Sequence, residues 1–406
     1  MHDPLEIDLL EEALETLGNA DSALRARVLA RLSLALYGTD AWQREASVGQ
    51  EAVDLARRIR DPRALIVALH ALQFALFRPE AGPEAVHQRL LLADEMARLA
   101  DETGEAEMAL VGHGWLFMDS LELGDICTAD KEIETWAGLA EELRQPVYQH
   151  WATHVRAMRA IMDGRFEEGE RLALEGLAIG QRAHYQSAAG AEQAMFGVQV
   201  FELRFLQGRL SEVEPTVRAS VAEYPEIVGW RAALASIHSQ LGREQEARAE
   251  FEKLSEGDFA ALPRDMGWLI TLDLVAEVCA YLGDACRAAA LYELLLPYAG
   301  HNIIVGAPTV ICRGSASYDL GLLATTTGRW DDAGRHFEDA LRMNAKIGAR
   351  PWLARTKHDY AAMLIRRNSP GDCDKAFRLL TEAIAVYGQI GMPKHQEMAE
   401  ALLREL

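Results

Sequence analysis

Glycines punctuate this chain at a near-constant interval. Gly38, Gly82, Gly124, Gly164, Gly208, Gly242, Gly283, Gly328 and Gly371 each close an apolar-periodic segment, and successive members lie 34 to 45 residues apart. Five residues after each of the seven later glycines stands a small or short side chain: Ala129, Gly169, Val213, Ala247, Ala288, Ala333 and Ala376. A period of this length is the mark of a repeated two-helix unit. Glycine ends the first helix in the left-handed conformation at little steric cost. The small residue one turn into the second helix lets the two helices approach closely. Leu320, Leu323 and Ala324, then Phe337, Ala340 and Leu341, keep the helical i, i+3, i+4 spacing on either side of Gly328. Asp61-Pro62, Gln145-Pro146, Tyr224-Pro225, Arg350-Pro351 and Met392-Pro393 mark the joins between units. No stretch alternates polar and apolar residues between hairpin turns, so the chain reads as all-α. The expected architecture is a right-handed superhelical α-solenoid of about nine helix hairpins, a single continuous array over residues 1–406.

Composition agrees with an array. Half of the 406 residues are hydrophobic, too many for a disordered chain. The length exceeds the roughly 250–300 residues at which one compact core stops growing. The net charge of −21 argues against nucleic acid or an anionic membrane as partner, since both require a basic surface. Apolar runs are broken by charges well short of a membrane span. Met1-His2-Asp3-Pro4 leads into an acidic amphipathic segment, not a secretory leader. Cys127, Cys279, Cys286, Cys312 and Cys373 form no C-x-x-C pair, the usage of reduced thiols in the cytoplasm.

Ser317-Tyr318-Asp319-Leu320-Gly321, Gly328 through Ala333, and Phe337 and Ala340 together resemble a tetratricopeptide repeat. Its Leu-Gly pair falls on Leu320-Gly321, its turn glycine on Gly328, and its small–aromatic–small series on Ala333, Phe337 and Ala340. Gly242 keeps Ala247 and Phe251, and Gly283 keeps Ala288 and Tyr292; Gly208, with Val213 and Val217, is a poor match. A narrower resemblance, to the C-terminal helical-repeat region of large bacterial regulatory ATPases, covers nearly the whole chain. Those proteins include LuxR-type, maltose-regulator-like activators and ATPase–nucleotide-cyclase fusions. The resemblance is carried by Leu24–Leu32, Glu51–Arg58, Leu295–Gly300 and Gly348–Thr356. It implies a region that senses a ligand or partner and controls an ATPase or cyclase, here acting in trans. There is no G-x-x-x-x-G-K-[ST] phosphate loop and no helix-turn-helix, so neither ATP switching nor DNA binding is expected.

Catalytic and metal signals are weak. His150 and His154 share a helix face at i, i+4, a spacing that binds metals, but no third ligand follows. They read as surface or groove histidines, and Cys279 and Cys286 as small buried residues. No G-x-S-x-G elbow occurs. Asp94-Glu95 and Asp101-Glu102 read as solvated helix faces, and no cofactor is expected. The segment His301–Pro308 is apolar and β-branched between Gly300 and Pro308. It reads either as a connector packed on its neighbours or as a loop over the groove.

Counting back from the turn glycines gives the positions that first helices turn inward: Trp151, His154 and Met158; Met195, Glu202 and Phe205; Asp273 and Glu277; Tyr318. These are the ligand-binding candidates, or else core where the superhelix closes on itself. Aromatics and methionines would hold an apolar body, and Glu202 or the Asp273–Glu277 pair a cationic end. The expected function is a non-enzymatic binding or sensor scaffold for a protein, a peptide or a small apolar-cationic ligand. The alternative is an enzyme using His154, Glu202, Asp273 or Glu277 as acid or base.

Overall fold

The computed structural model describes residues 4–37, 39, 41–182 and 191–406. They form twenty α-helices, three short 3-10 turns and one two-stranded antiparallel sheet. The helices gather into two compact units. The first comprises Met1–Ser120, Cys127–Tyr148 and Arg264–Met266; the second comprises Leu121–Ile126, Gln149–Pro263 and Gly267–Leu406.

In the first unit the helices from Pro4–Leu17 to Ala85–Thr103 each pack on the next along the chain, and Ala23–Ala35 lies against both Trp42–Ile59 and Pro62–Leu76. Asp61 caps the latter by accepting from the Ala64 N–H at 2.9 Å, with Pro62 in its first turn. In the second unit Val228–Gln240, Trp268–Leu282 and Ser317–Thr326, first helices of successive repeats, also pack side by side.

The predicted turn chemistry is present. Gly82, Gly124, Gly164, Gly208, Gly242, Gly283, Gly328 and Gly371 all have positive φ. Gly38 lies outside the described residues. Gly82 closes a 3-10 turn, Pro79–Ala81, instead of an α-helix. At Gly371 the left-handed C-cap is Asn368, and the glycine opens the next helix. Ala129, Ala247, Ala288, Ala333 and Ala376 are fully buried, as close helix approach requires. After the poorly matching Gly208, the 3-10 turn Leu210–Glu212 replaces the start of a helix.

The repeat around Gly328 shows the packing most clearly. Trp330–Lys346 buries Ala333, His336, Phe337, Ala340 and Asn344, one stripe at helical spacing. Phe337 rests on Gly321 so closely that a Cβ there would come within 2.8 Å of the ring. Burying such a ring contributes about 1.5–3 kcal/mol. The glycine of the Leu320-Gly321 pair therefore has a steric cause: only glycine leaves room for the ring.

One element departs from the helical expectation. Asn302–Val305 pairs with Ile311–Ser315 as a β-hairpin, both strands buried. The register slips by one residue between Asn302 and Ile304, where Arg313 and Gly314 bulge opposite Ile303, and Gly314 has a φ of +77°. The expectation of no strands is corrected here. Ile303, Ile304, Val305 and Ile311 are β-branched, each strand is too short for a stable helix, and helices of the second unit pack against both strands.

Candidate functional site

The hairpin enters the second unit, and each of its anchors is a specific polar contact. Asn302 Nδ2 donates to the Leu121 carbonyl at 2.7 Å, and His301 Nδ1 meets Glu122 at 2.9 Å. Gln199 Nε2 donates to the Val310 carbonyl at 2.9 Å. Asn344 accepts from the Ser315 N–H at 3.0 Å, while its Nδ2 donates to Thr356 Oγ1 at 3.1 Å. Gly314 makes this seating possible: a Cβ at that position would lie 2.3 Å from Asn344 Oδ1.

These anchors deliver Arg313 to the interior. Its guanidinium donates through Nε to Asp273 at 2.5 Å, through Nη1 to Glu202 at 2.6 Å and through Nη2 to Glu277 at 2.6 Å. The side chain has no exposed surface. It lies 4.5 Å from the ring centroids of both Phe205 and Trp352. A second buried arginine, Arg355, donates through Nη2 to the other Glu277 oxygen at 2.6 Å and to Tyr318 Oη at 3.1 Å. Trp352 Nε1 donates to the remaining Glu202 oxygen at 3.2 Å. Planar guanidinium forks suit such clusters because each N–H has a fixed direction.

Burial sets the electrostatics. Desolvation raises Glu202 above the ordinary carboxylate range, against the pull of Arg313. Asp273 is pushed up to about 7 by burial, and Asp319 well above its usual value by burial and by Asp273. Asp273 Oδ1 and both Asp319 oxygens are buried with no hydrogen-bond partner, and the charge of Asp273 disfavours ionisation of Asp319, so this site favours a retained proton. Burial works against the charge of Arg313, but the three carboxylates overcome it and raise its pKa.

The structure thus places five of the nine candidate residues, Glu202, Phe205, Asp273, Glu277 and Tyr318, around two arginines of the same chain. The acidic positions that were to hold a cationic end hold Arg313. The other candidates are dispersed. Met158 is core, and Trp151 and Met195 are half-buried. His154 is fully buried, its Nδ1 2.6 Å from Gln199, and burial lowers its pKa to about 4. His150 is buried too, with Nδ1 2.8 Å from the Gly176 carbonyl. The surface or groove reading of this pair is corrected: Gly176 leaves room for the His154 ring to pack inside. Among the described residues no group of three or more His, Cys, Asp or Glu is arranged to hold a metal. Cys279 is buried as expected, but Cys286 is exposed.

Beside the arginine cluster lies a half-open chamber of about 250 Å³. Glu277, Tyr318, Arg355 and Asp359 form its polar side; Leu322 and Met363 belong to its apolar side. Tyr281 and Met398 stand at its exposed rim. Three wall atoms, Arg355 Nη1, Tyr387 Oη and His395 Nε2, are buried without a hydrogen-bond partner. Tyr318 Oη donates to Asp359 Oδ2 at 2.7 Å. Inward counting missed Arg313, Arg355, Asp319, Tyr387 and His395. The lone charge in Ile311-Cys312-Arg313-Gly314-Ser315 was the available signal for the first.

No family model matches this sequence, and no curated protein matches it. Among solved structures, yeast Tom70 is 12% identical and aligns over 98% of this chain and 92% of its own, with a TM-score of 0.35. The anaphase-promoting-complex hetero-tetramer Cut9–Hcn1 is 13% identical over 98% and 92%, at 0.29. Naa15/Naa10 bound to HypK is 12% identical over 93% and 68%, at 0.23. Tom70 and Cut9–Hcn1 are tetratricopeptide-like helical-repeat structures, and the likeness concerns fold alone. No helix among the described residues is long and apolar enough to cross a membrane.

Proposed function

We propose that this protein is a non-catalytic helical-repeat receptor that takes a small ligand into the chamber beside Arg355. The observation that carries this reading is the set of three buried, unpartnered polar atoms that belong to residues lining the chamber. Leaving such atoms unpaired costs roughly 1–3 kcal/mol each, more for a charged group, so a ligand that satisfies them gains specificity. Each such group calls for an explanation, and a bound water or ligand is one that also accounts for three of them gathering at one chamber.

The enzymatic reading has less support. A general acid or base must reach its substrate. The carboxylates of this cluster with raised pKa, Glu202, Asp273 and Asp319, do not line the chamber; they gather on the Arg313 side. Glu277 does line it, but both its oxygens are taken by arginines. The regulatory role, sensing for an ATPase or cyclase in trans in bacterial signalling, extends the receptor reading through the sequence resemblance. The free cysteines suit a cytoplasmic setting.

The test is equilibrium dialysis of the full chain against a defined mixture of small metabolites, with retained compounds measured by mass spectrometry. Leu322→Trp fills the chamber from its apolar wall. The parent is expected to retain at least one compound that the variant loses, with circular dichroism unchanged. Equal retention by both proteins, or none by the parent, overturns the reading. Steady conversion of a compound to product favours the enzyme.

A further inference from the structure

We infer that the chamber ligand is a small zwitterion of the α-amino-acid class, its carboxylate on Arg355 and its ammonium on Asp359. The inference rests on the receptor reading above and names the chemistry of that site.

The argument starts from how Arg355 is held. Nη2 is spent on Glu277 and Tyr318, and the guanidinium lies 4.6 Å from the Phe205 ring centroid and 4.8 Å from that of Trp352. Its direction is therefore set before any ligand arrives. The remaining terminal nitrogen, Nη1, is buried and has no acceptor in the protein. A charged donor in that position calls for an anionic oxygen. Tyr387 Oη and His395 Nε2 are buried beside the same chamber without partners. Burial keeps the Tyr387 phenol protonated and the His395 ring neutral, so both contribute hydrogen bonds without adding charge. Three such atoms suit the two oxygens of a carboxylate, which together offer about four acceptor sites.

A simple anion does not account for the rest of the wall. Asp359 lies one helical turn from Arg355, at i, i+4 on the helix Arg350–Arg367, and also lines the chamber. Tyr318 Oη bonds both groups, accepting from Arg355 Nη2 and donating to Asp359 Oδ2. A single phenol oxygen therefore spaces the cation from the carboxylate. A ligand carrying opposite charges on neighbouring atoms meets both groups at once, its carboxylate on the cation and its ammonium on the carboxylate. A lone anion would meet repulsion from Asp359, and a lone cation from Arg355. A zwitterion answers both, while Glu277 stays neutralised by its two arginines. Ala280, Leu322, Met363 and Met398 offer an apolar surface for a side chain, and about 250 Å³ is small against the usual range of ligand pockets.

The experiment is titration calorimetry on the full chain near neutral pH. The probes are L-alanine, L-valine, L-leucine, L-methionine and L-phenylalanine. For leucine and phenylalanine the amines lacking the carboxylate (3-methylbutylamine, 2-phenylethylamine) and the acids lacking the amine (4-methylpentanoate, 3-phenylpropanoate) are included. At least one amino acid is expected to bind, with both of its half-molecules weaker by about tenfold or more. Asp359→Asn should weaken the amino acid but spare the deaminated acid. Tyr387→Phe, which removes one hydroxyl and keeps the ring, should weaken both. An amine or acid that binds as tightly as its amino acid overturns the inference. So does a chamber-dependent ligand of another class in the dialysis experiment with no amino acid binding here; the receptor reading then survives. If Leu322→Trp changes nothing in either experiment, both readings fall.

Discussion

The two units bury charge in different ways. In the first unit, buried polar side chains meet in small separate groups between nearby helices. Arg78 reaches Glu45 at 2.9 Å, Arg89 and Gln73 meet Asp119 at 3.0 and 2.6 Å, and His113 meets Glu132 at 2.5 Å. Each group is closed by helices that are neighbours in the repeat. The second unit joins Glu202, Asp273, Glu277, Asp319, Arg313 and Arg355 into one network, whose longest ion pair spans 111 residues of sequence. Stacked helix hairpins require only local agreement between neighbours. A shared ionic centre requires a β-hairpin to reach it, and it couples repeats that a simple array would leave independent.

The sharpest way to break this comparison is to remove the central cation from each kind of site. Arg313→Met leaves Asp273, Glu202 and Glu277 in a dry interior with one partner fewer each. Breaking a buried pair in this way costs about 3–5 kcal/mol. Arg78→Met strands Glu45 and also releases Glu80 and the Thr39 carbonyl, but burial already raises the Glu45 pKa, so that carboxyl can take up a proton instead. The loss there should be about 1–3 kcal/mol. Urea unfolding followed by circular dichroism measures both. Equal losses would mean that the network is no more than a set of independent pairs.

The helix contacts offer the opposite check, because here the units should behave alike. Ala129 in the first unit and Ala247, Ala288 and Ala333 in the second fill the same place in their repeats and are fully buried. Enlarging any of them to leucine should destabilise by about 1–3 kcal/mol through overpacking. Unchanged denaturation midpoints in all four would show that the repeat register is wrong.

Why the array was legible, and the network only half so, follows from the same contrast. Glycine turns and a small residue five positions on are local rules, legible in the sequence although Gly82 closes a 3-10 turn, Asn368 supplies the cap before Gly371, and the helix start after Gly208 is lost. Helical spacing also placed Glu202, Phe205, Asp273, Glu277 and Tyr318 on inward faces, and those side chains do converge. The partner that draws them together could not be counted from the turns. Arg313 lies on a strand with no helical period, and its carboxylates lie 36 to 111 residues away. His150 and His154 were misjudged for a related reason: Gly176, on the following helix, opens the space that buries them.

The effect expected to be smallest at neutral pH concerns the proton at Asp273 and Asp319, a feature that the pairs of the first unit do not need. Buried together, these carboxyls hold a proton that the unfolded chain releases near the ordinary aspartate value of about 3.9. Burial keeps Asp273 at about 7 in the folded state. The folded protein thus binds the additional proton between those two values. The stability it contributes is complete below about pH 4 and fades as pH rises toward 7. Buried histidines act in the opposite sense. His70 and His154, with pKa lowered to about 4 by burial, cost stability as pH falls below about 6.5. Those histidines are the same in parent and variant, so a difference measurement removes them. Asp319→Asn supplies an N–H donor to Asp273 without a shared proton. Stability at neutral pH should change by no more than about 1 kcal/mol, the value of one hydrogen bond. Between about pH 4 and 7, however, the parent should lose stability relative to the variant by up to about 1.4 kcal/mol per pH unit for one proton. Denaturation at a series of pH values in that window gives the slope directly, and parallel curves for the two proteins would mean that no proton is shared at this site.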